Sequence, residues 1–157
     1  MMSHRGAAVF LAALFTACAP KPVGPPIQSV ATLGEVMHDI VIPNAEVVWD
    51  SVGTIYTVKG VEEIRPKDNN EWMHVEQSAT ALTESANLLM MDGRAKDKDK
   101  WYRLSIALRD AGAAVHKAAK ARNPEAVFET GGQLFEACQG CHFAYRFTPD
   151  PSTIRTH

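Results

Sequence analysis

Apolar residues recur in steps of three and four along three stretches of this chain, the spacing that gathers them on one face of a helix. In the first stretch Trp72, Val75, Ala79, Leu82, Ala86 and Leu89 form the seam, and the pattern predicts a helix from Asn70, its N-cap, to Met91. Asp92-Gly93 closes it, and the charged run from Arg94 to Lys100 reads as a solvated connection. Trp101, Leu104, Leu108, Ala111, Val115 and Ala118 mark the next helix. Asn123-Pro124 stops that helix and opens the following one, with Asn123 as N-cap and Pro124 at the first helical position. The last seam is Val127, Gly131, Leu134, Cys138, Cys141 and Tyr145. Gly131 and Gly132, one to two turns before Cys138, imply either a close approach by a neighbour or a local kink.

Upstream the pattern is less regular. A first helix opens within Ser29 to Glu35, where Thr32-x-x-Glu35 makes a capping box, and it carries Leu33, Val36, Met37 and Ile40 on one face. Pro43 should break or kink it before Trp49. The stretch from Val52 to Lys59, with Gly53, Gly60 and several β-branched residues, fits a loop or a few extended residues as readily as helix. Residues 29–157 are therefore expected to form one all-α domain, an antiparallel four-helix bundle.

Ahead of that domain, residues 1–17 read as a signal peptide: His4 and Arg5 give a positive start, and Ala7 to Thr16 form an apolar run too short to span a membrane. Two cleavage readings compete. Ala17-Cys18-Ala19 fits the small-x-small rule but places Pro20 directly after the cut. Leu14-Phe15-Thr16-Ala17-Cys18 resembles a lipobox, with Phe15 in place of the usual aliphatic residue, and would make a lipidated Cys18 the mature N-terminus and a membrane anchor. Residues 18–28, with Pro20, Pro22, Pro25 and Pro26, form a semi-stiff linker. Both readings imply export, to the periplasm.

A net charge of −2 leaves no basic footprint for a nucleic acid, and no phosphate loop, nucleophile elbow or zinc-protease motif occurs. The chemistry is concentrated in Cys138-Gln139-Gly140-Cys141-His142. In a Cys-x-x-Cys-His run two thiols can add across the two vinyl groups of a haem while the next imidazole binds the iron. Zinc would need two more ligands, and the only other cysteine is Cys18. A redox dithiol normally opens a helix after a strand, whereas this motif lies deep in a helical pattern. Cys138 and His142 fall one turn apart on nearly the same face, so one helix can hold a macrocycle against itself.

Four amphipathic helices ending in Cys138-Gln139-Gly140-Cys141-His142-Phe143-Ala144-Tyr145-Arg146 resemble the class II cytochromes c, the group of cytochrome c′ and its low-spin relatives. The resemblance extends over roughly residues 29 to 147 and implies a single haem c on the C-terminal helix, with thioethers at Cys138 and Cys141 and His142 as proximal ligand. It places Arg146 near the proximal pocket or a haem propionate, against the alternative of a solvent-exposed helix end. The sixth ligand implied is Met37, with His38 as competitor and an open iron as the third case. A kinked first helix would instead bring Val47, Val48 and Trp49 onto the haem, while Met73, Met90 and Met91 read as packing or surface residues. The function implied is a monohaem electron carrier serving redox partner proteins, not an enzyme. The alternatives are a five-coordinate protein binding small gases and a haem-free thiol oxidoreductase. A homodimer is compatible with the mixed outer helix faces.

Overall fold

The computed structural model describes residues 25–146. The signal-peptide reading, the lipidation of Cys18 and the linker up to residue 24 lie outside the described residues. So does everything after Arg146.

The described chain is mostly helical, with one small sheet. The helices α2 (Asn69–Leu89), α3 (Lys100–Lys120) and α4 (Pro124–Tyr145) follow the three seams. The first helix, α1, covers residues 33–50 in three stretches, Leu33–Glu35, Val36–Val41 and Ile42–Asp50. Between α1 and α2 stands an antiparallel hairpin of β1 (Gly53–Thr57) and β2 (Gly60–Ile64), paired Gly53 to Ile64 and Tyr56 to Val61. The all-α expectation is corrected by this hairpin. Its β-branched and aromatic residues suit a pleated strand, and Gly60, at φ +134°, closes the turn.

Pro43 was expected to break or kink α1, and the helix continues through it instead. The middle stretch is a π-helix, in which the Ile42 amide donates to the Met37 carbonyl five residues back. Pro43 has no N–H and its ring crowds the carbonyl four residues earlier, and the wider turn just before it makes room. The Asn44 side-chain amide then donates to the Ile40 carbonyl at 2.7 Å. One consequence corrects the predicted face. The buried residues are Val36, Val41, Ala45 and Val48, so the stripe steps by five, and Ile40 is only partly buried. The capping box forms as expected, with the Glu35 amide donating to Thr32 Oγ1 at 3.2 Å and the Thr32 amide to Glu35 Oε2 at 2.7 Å.

The cap of α2 is Asp68 rather than Asn70: Asp68 Oδ1 accepts from the amides of Asn70 at 2.8 Å and Glu71 at 2.9 Å. Arg94 does not belong to a solvated connection. It is buried, and its guanidinium donates to the carbonyls of Ala31 at 2.9 Å and Leu88 at 3.0 Å, tying the approach to α1 onto the end of α2. Trp101 Nε1 donates to the Leu89 carbonyl at 2.8 Å, satisfying one of the acceptors that a helix end leaves open. α2 and α3 approach closely at Gly112, where a β-carbon would meet Thr83 Oγ1 at 2.8 Å. Asn123 Oδ1 caps α4 by accepting from the Ala126 amide at 2.9 Å.

One apolar core runs through all four helices. Along α4 it takes Val127, Gly131 and Leu134 as fully buried residues, and none beyond them. The apolar stripe in the sequence continues through Cys138, Cys141 and Tyr145, which pack against the core but are only partly buried. At this end residues of α1 and α4 line a cleft.

Candidate functional site

The inner part of the cleft is a cavity of about 200 Å³. From α1 it is walled by Met37, Val41, Ile42, Ala45 and Trp49, and from α4 by Phe135, Ala137, Cys138, Gln139, Cys141 and His142. Leu89, Leu104, Ser105 and Leu108 form the floor. A cavity of this size holds several waters, but walls so poor in polar groups suit an apolar occupant better. Toward the chain ends the cleft opens into a mouth that shares Met37, Ile42, Cys141 and His142 and adds His38, Lys96, Trp101, Tyr145 and Arg146. The cleft therefore runs from an apolar interior to a rim that carries cations.

The two thiols and the imidazole reach this cleft because α4 is regular from its Asn123 cap onward, which sets Cys138, Cys141 and His142 within one turn. Burial pushes both thiols up in pKa, and for Cys138 the neighbouring Cys141 adds to the shift. They stay protonated at neutral pH, which disfavours thiol–disulfide exchange through a ready thiolate. His142 is pushed the other way, by burial first and by the Arg146 charge second. Its ring is neutral at pH 7 and has a lone pair for a metal ion.

Met37 lies in the π-helical stretch, partly buried, and lines both the cavity and the mouth across from His142. His38 lines only the mouth, with its side chain 86% exposed and Nδ1 at 2.7 Å from Asp39 Oδ1. Arg146 is exposed at the mouth. Of the alternative trio, Trp49 lines the cavity, Val48 is core, and Val47 faces a separate groove beside the hairpin. Met73 is exposed, and Met90 and Met91 are partly buried away from the cleft. Gly131 faces the Trp49 and Val48 side chains at distances where a β-carbon would make ordinary contact. Gly132 has nothing within 4 Å.

Phe135, Asp97 and Ser105 carried no signal in the sequence. Phe135 packs edge-on against Trp49, with ring centroids 5.9 Å apart. At the mouth the Tyr145 hydroxyl donates to Asp97, and its ring meets Trp101 edge-on at 5.0 Å. Burial and the bond to Asp97 push the Tyr145 hydroxyl up to about 12. The same bond, with help from the Trp101 amide, holds the Asp97 carboxyl below its ordinary range. Ser105 contributes a buried hydroxyl in the floor.

Two thiols and a neutral imidazole on one helix, with a thioether on the helix opposite and apolar walls between, fit a flat apolar macrocycle carrying a metal. Among the described residues, no three His, Cys, Asp or Glu side chains are grouped to hold a bare metal ion. No described helix is long and apolar enough to cross a membrane. Comparison of the chain with known protein families, with curated proteins and with solved structures finds no match.

Proposed function

We propose that this chain is a monohaem c-type cytochrome of the class II kind, an electron carrier whose haem is attached at Cys138 and Cys141 and ligated by His142 and Met37. The observation that carries the reading is that these four side chains, Met37 standing just over a hundred positions from the other three, line a single apolar cleft. On this reading the four helices make an antiparallel bundle held open at one end for the macrocycle. The bound group supplies the redox couple. The chain's own part is to fix the imidazole and thioether, exclude water from the inner cavity and leave the rim for docking partners. A thioether opposite an imidazole raises the potential relative to two nitrogen ligands. Export to the periplasm, with Cys18 as lipid anchor, agrees with where haem c is attached.

The test is an optical spectrum of the matured full-length protein, oxidised, reduced, and reduced under carbon monoxide, beside a denaturing gel stained for covalent haem. Low-spin bands, a weak ferric sulfur-to-iron charge-transfer band and indifference to carbon monoxide support the carrier. High-spin bands that shift under carbon monoxide make it a gas-binding protein instead. A gel without haem stain returns the function to the two thiols, and Cys138→Ala with Cys141→Ala serves as its blank.

A further inference from the structure

A guanidinium taken out of water usually meets a carboxylate, because burying a charge without a counter-charge is costly. Arg94 is 6% exposed, and no ion pair among the described residues includes it. Its partners are neutral. Nε donates to the Ala31 carbonyl at 2.9 Å, and one terminal nitrogen donates to the Leu88 carbonyl at 3.0 Å and lies 3.2 Å from the Met91 sulfur. A buried charge held in this way is weak evidence of a gain in stability. What a guanidinium adds is geometry, since its planar fork holds two stretches of backbone in one fixed relation.

One of those stretches is firm. Leu88 belongs to α2, and the turn after that helix is closed by the amides of Arg94 and Ala95, which both donate to the Met91 carbonyl at 3.1 Å. The other stretch leads into α1, where Ser29 and Thr32 are exposed and Ala31 is only partly buried. A second bond ties it to the same turn, from the Ser29 hydroxyl to the Asp92 carbonyl at 2.7 Å. From there to Val41 the only fully buried residue is Val36, and Met37 follows it directly. Met37 therefore rides on a short stretch held downstream by Val41 and Ala45 and upstream by Arg94 and Ser29. We infer that Arg94 is a positioning residue for the sixth ligand: by fixing Ala31 on the end of α2 it holds the upstream part of α1 so that Met37 stays on the iron. Groups behind a metal ligand commonly orient it in this way. The inference rests on the proposed haem and on Met37 as its ligand.

The test uses full-length, haem-loaded protein as wild type, Arg94→Met, Arg94→Lys and Ser29→Ala. Gly112→Ala, which strains the contact of α2 with α3 instead, is the control for a general loss of stability. The readouts are the ferric sulfur-to-iron charge-transfer band and the carbon monoxide affinity of the reduced form. In Arg94→Met covalent haem is retained, the band weakens, and carbon monoxide binds about tenfold more tightly or better, because its apparent affinity follows the fraction of molecules with an open sixth position. Arg94→Lys keeps the charge without the fork and falls between, as does Ser29→Ala, while Gly112→Ala keeps the wild-type band and affinity. A wild-type band and affinity in Arg94→Met overturn the inference, and so does an equal loss in Gly112→Ala, which is what mere destabilisation gives. Should Arg94→Met not fold, Arg94→Lys and Ser29→Ala decide, and wild-type spectra in both overturn it. Failure of the underlying reading shows separately in the wild type, as missing covalent stain or a missing charge-transfer band.

Discussion

Trp49 donates its indole N–H to the carbonyl oxygen of Gly131 at 3.0 Å, joining the two helices that flank the cleft. Phe135 stacks edge-on against the same indole one turn further along α4. Trp49→Phe keeps a ring and removes the bond. Its expected cost is about 0.5–1.5 kcal/mol, read as a lower urea midpoint with unchanged slope. An unchanged midpoint would mean that the two helices are held apart and together by other contacts.

Met37→Ala separates ligation from packing. On the proposed ligation the variant's iron turns from low-spin to high-spin and takes up carbon monoxide when reduced, while covalent haem is retained. If the spectrum is that of the wild type, Met37 is a filler of an irregular gap.

Gly112 and Gly132 are both helical glycines, and alanine at each should act with opposite sign. At Gly112 the new methyl collides with Thr83 Oγ1 at 2.8 Å and the Thr83 backbone nitrogen at 3.0 Å, so Gly112→Ala should destabilise by about 1–3 kcal/mol. At Gly132 it meets nothing within 4 Å, so Gly132→Ala should stabilise by about 0.5–1 kcal/mol through helix propensity. Thermal unfolding of the two variants beside the wild type decides both.

That pair also indicates how far the sequence could be read. The seams of α2, α3 and α4 were legible because continuous helices repeat their apolar contacts at a fixed period, and Asn123-Pro124 is an unambiguous start. Which glycine faces a neighbour was not, since that depends on helix rotation and crossing. Nor was the buried stripe of α1, where the π-turn replaces Ile40 by Val41. Arg94 was hidden within a charged run because its partners are backbone carbonyls, which leave no trace in residue types. Of the site, the α4 residues came from one motif, whereas Ser105, Phe135 and Asp97 reach the cleft only through the packing of other elements.

Tyr145→Phe tests the bond at the mouth through pH. The Tyr145 hydroxyl ionises at about 12 in the folded chain against about 10 when free. A raised folded value means that its contribution to stability is full below pH 10 and is lost as pH rises from about 10 to 12. Asp97 is depressed, so its contribution is full above the ordinary aspartate value of 3.8 and is lost as pH falls through the lower folded value. Urea midpoints of the wild type should therefore fall relative to Tyr145→Phe above pH 10, and the advantage of the wild type should also shrink in acid. Parallel curves at both ends would show that the Tyr145–Asp97 bond is not kept in solution.

The wide turn of α1 sets the phase between the two halves of that helix. Downstream of it, Ala45 and Val48 are locked into the core. Upstream, the azimuth of Met37 is set by a single additional residue in the turn, and removing one residue there would swing everything before it by about 100° about the axis. The choice of side chain presented to the cleft is thus a matter of indexing, in which one position in the turn decides at once that Met37 faces the cleft and that Val36 enters the core.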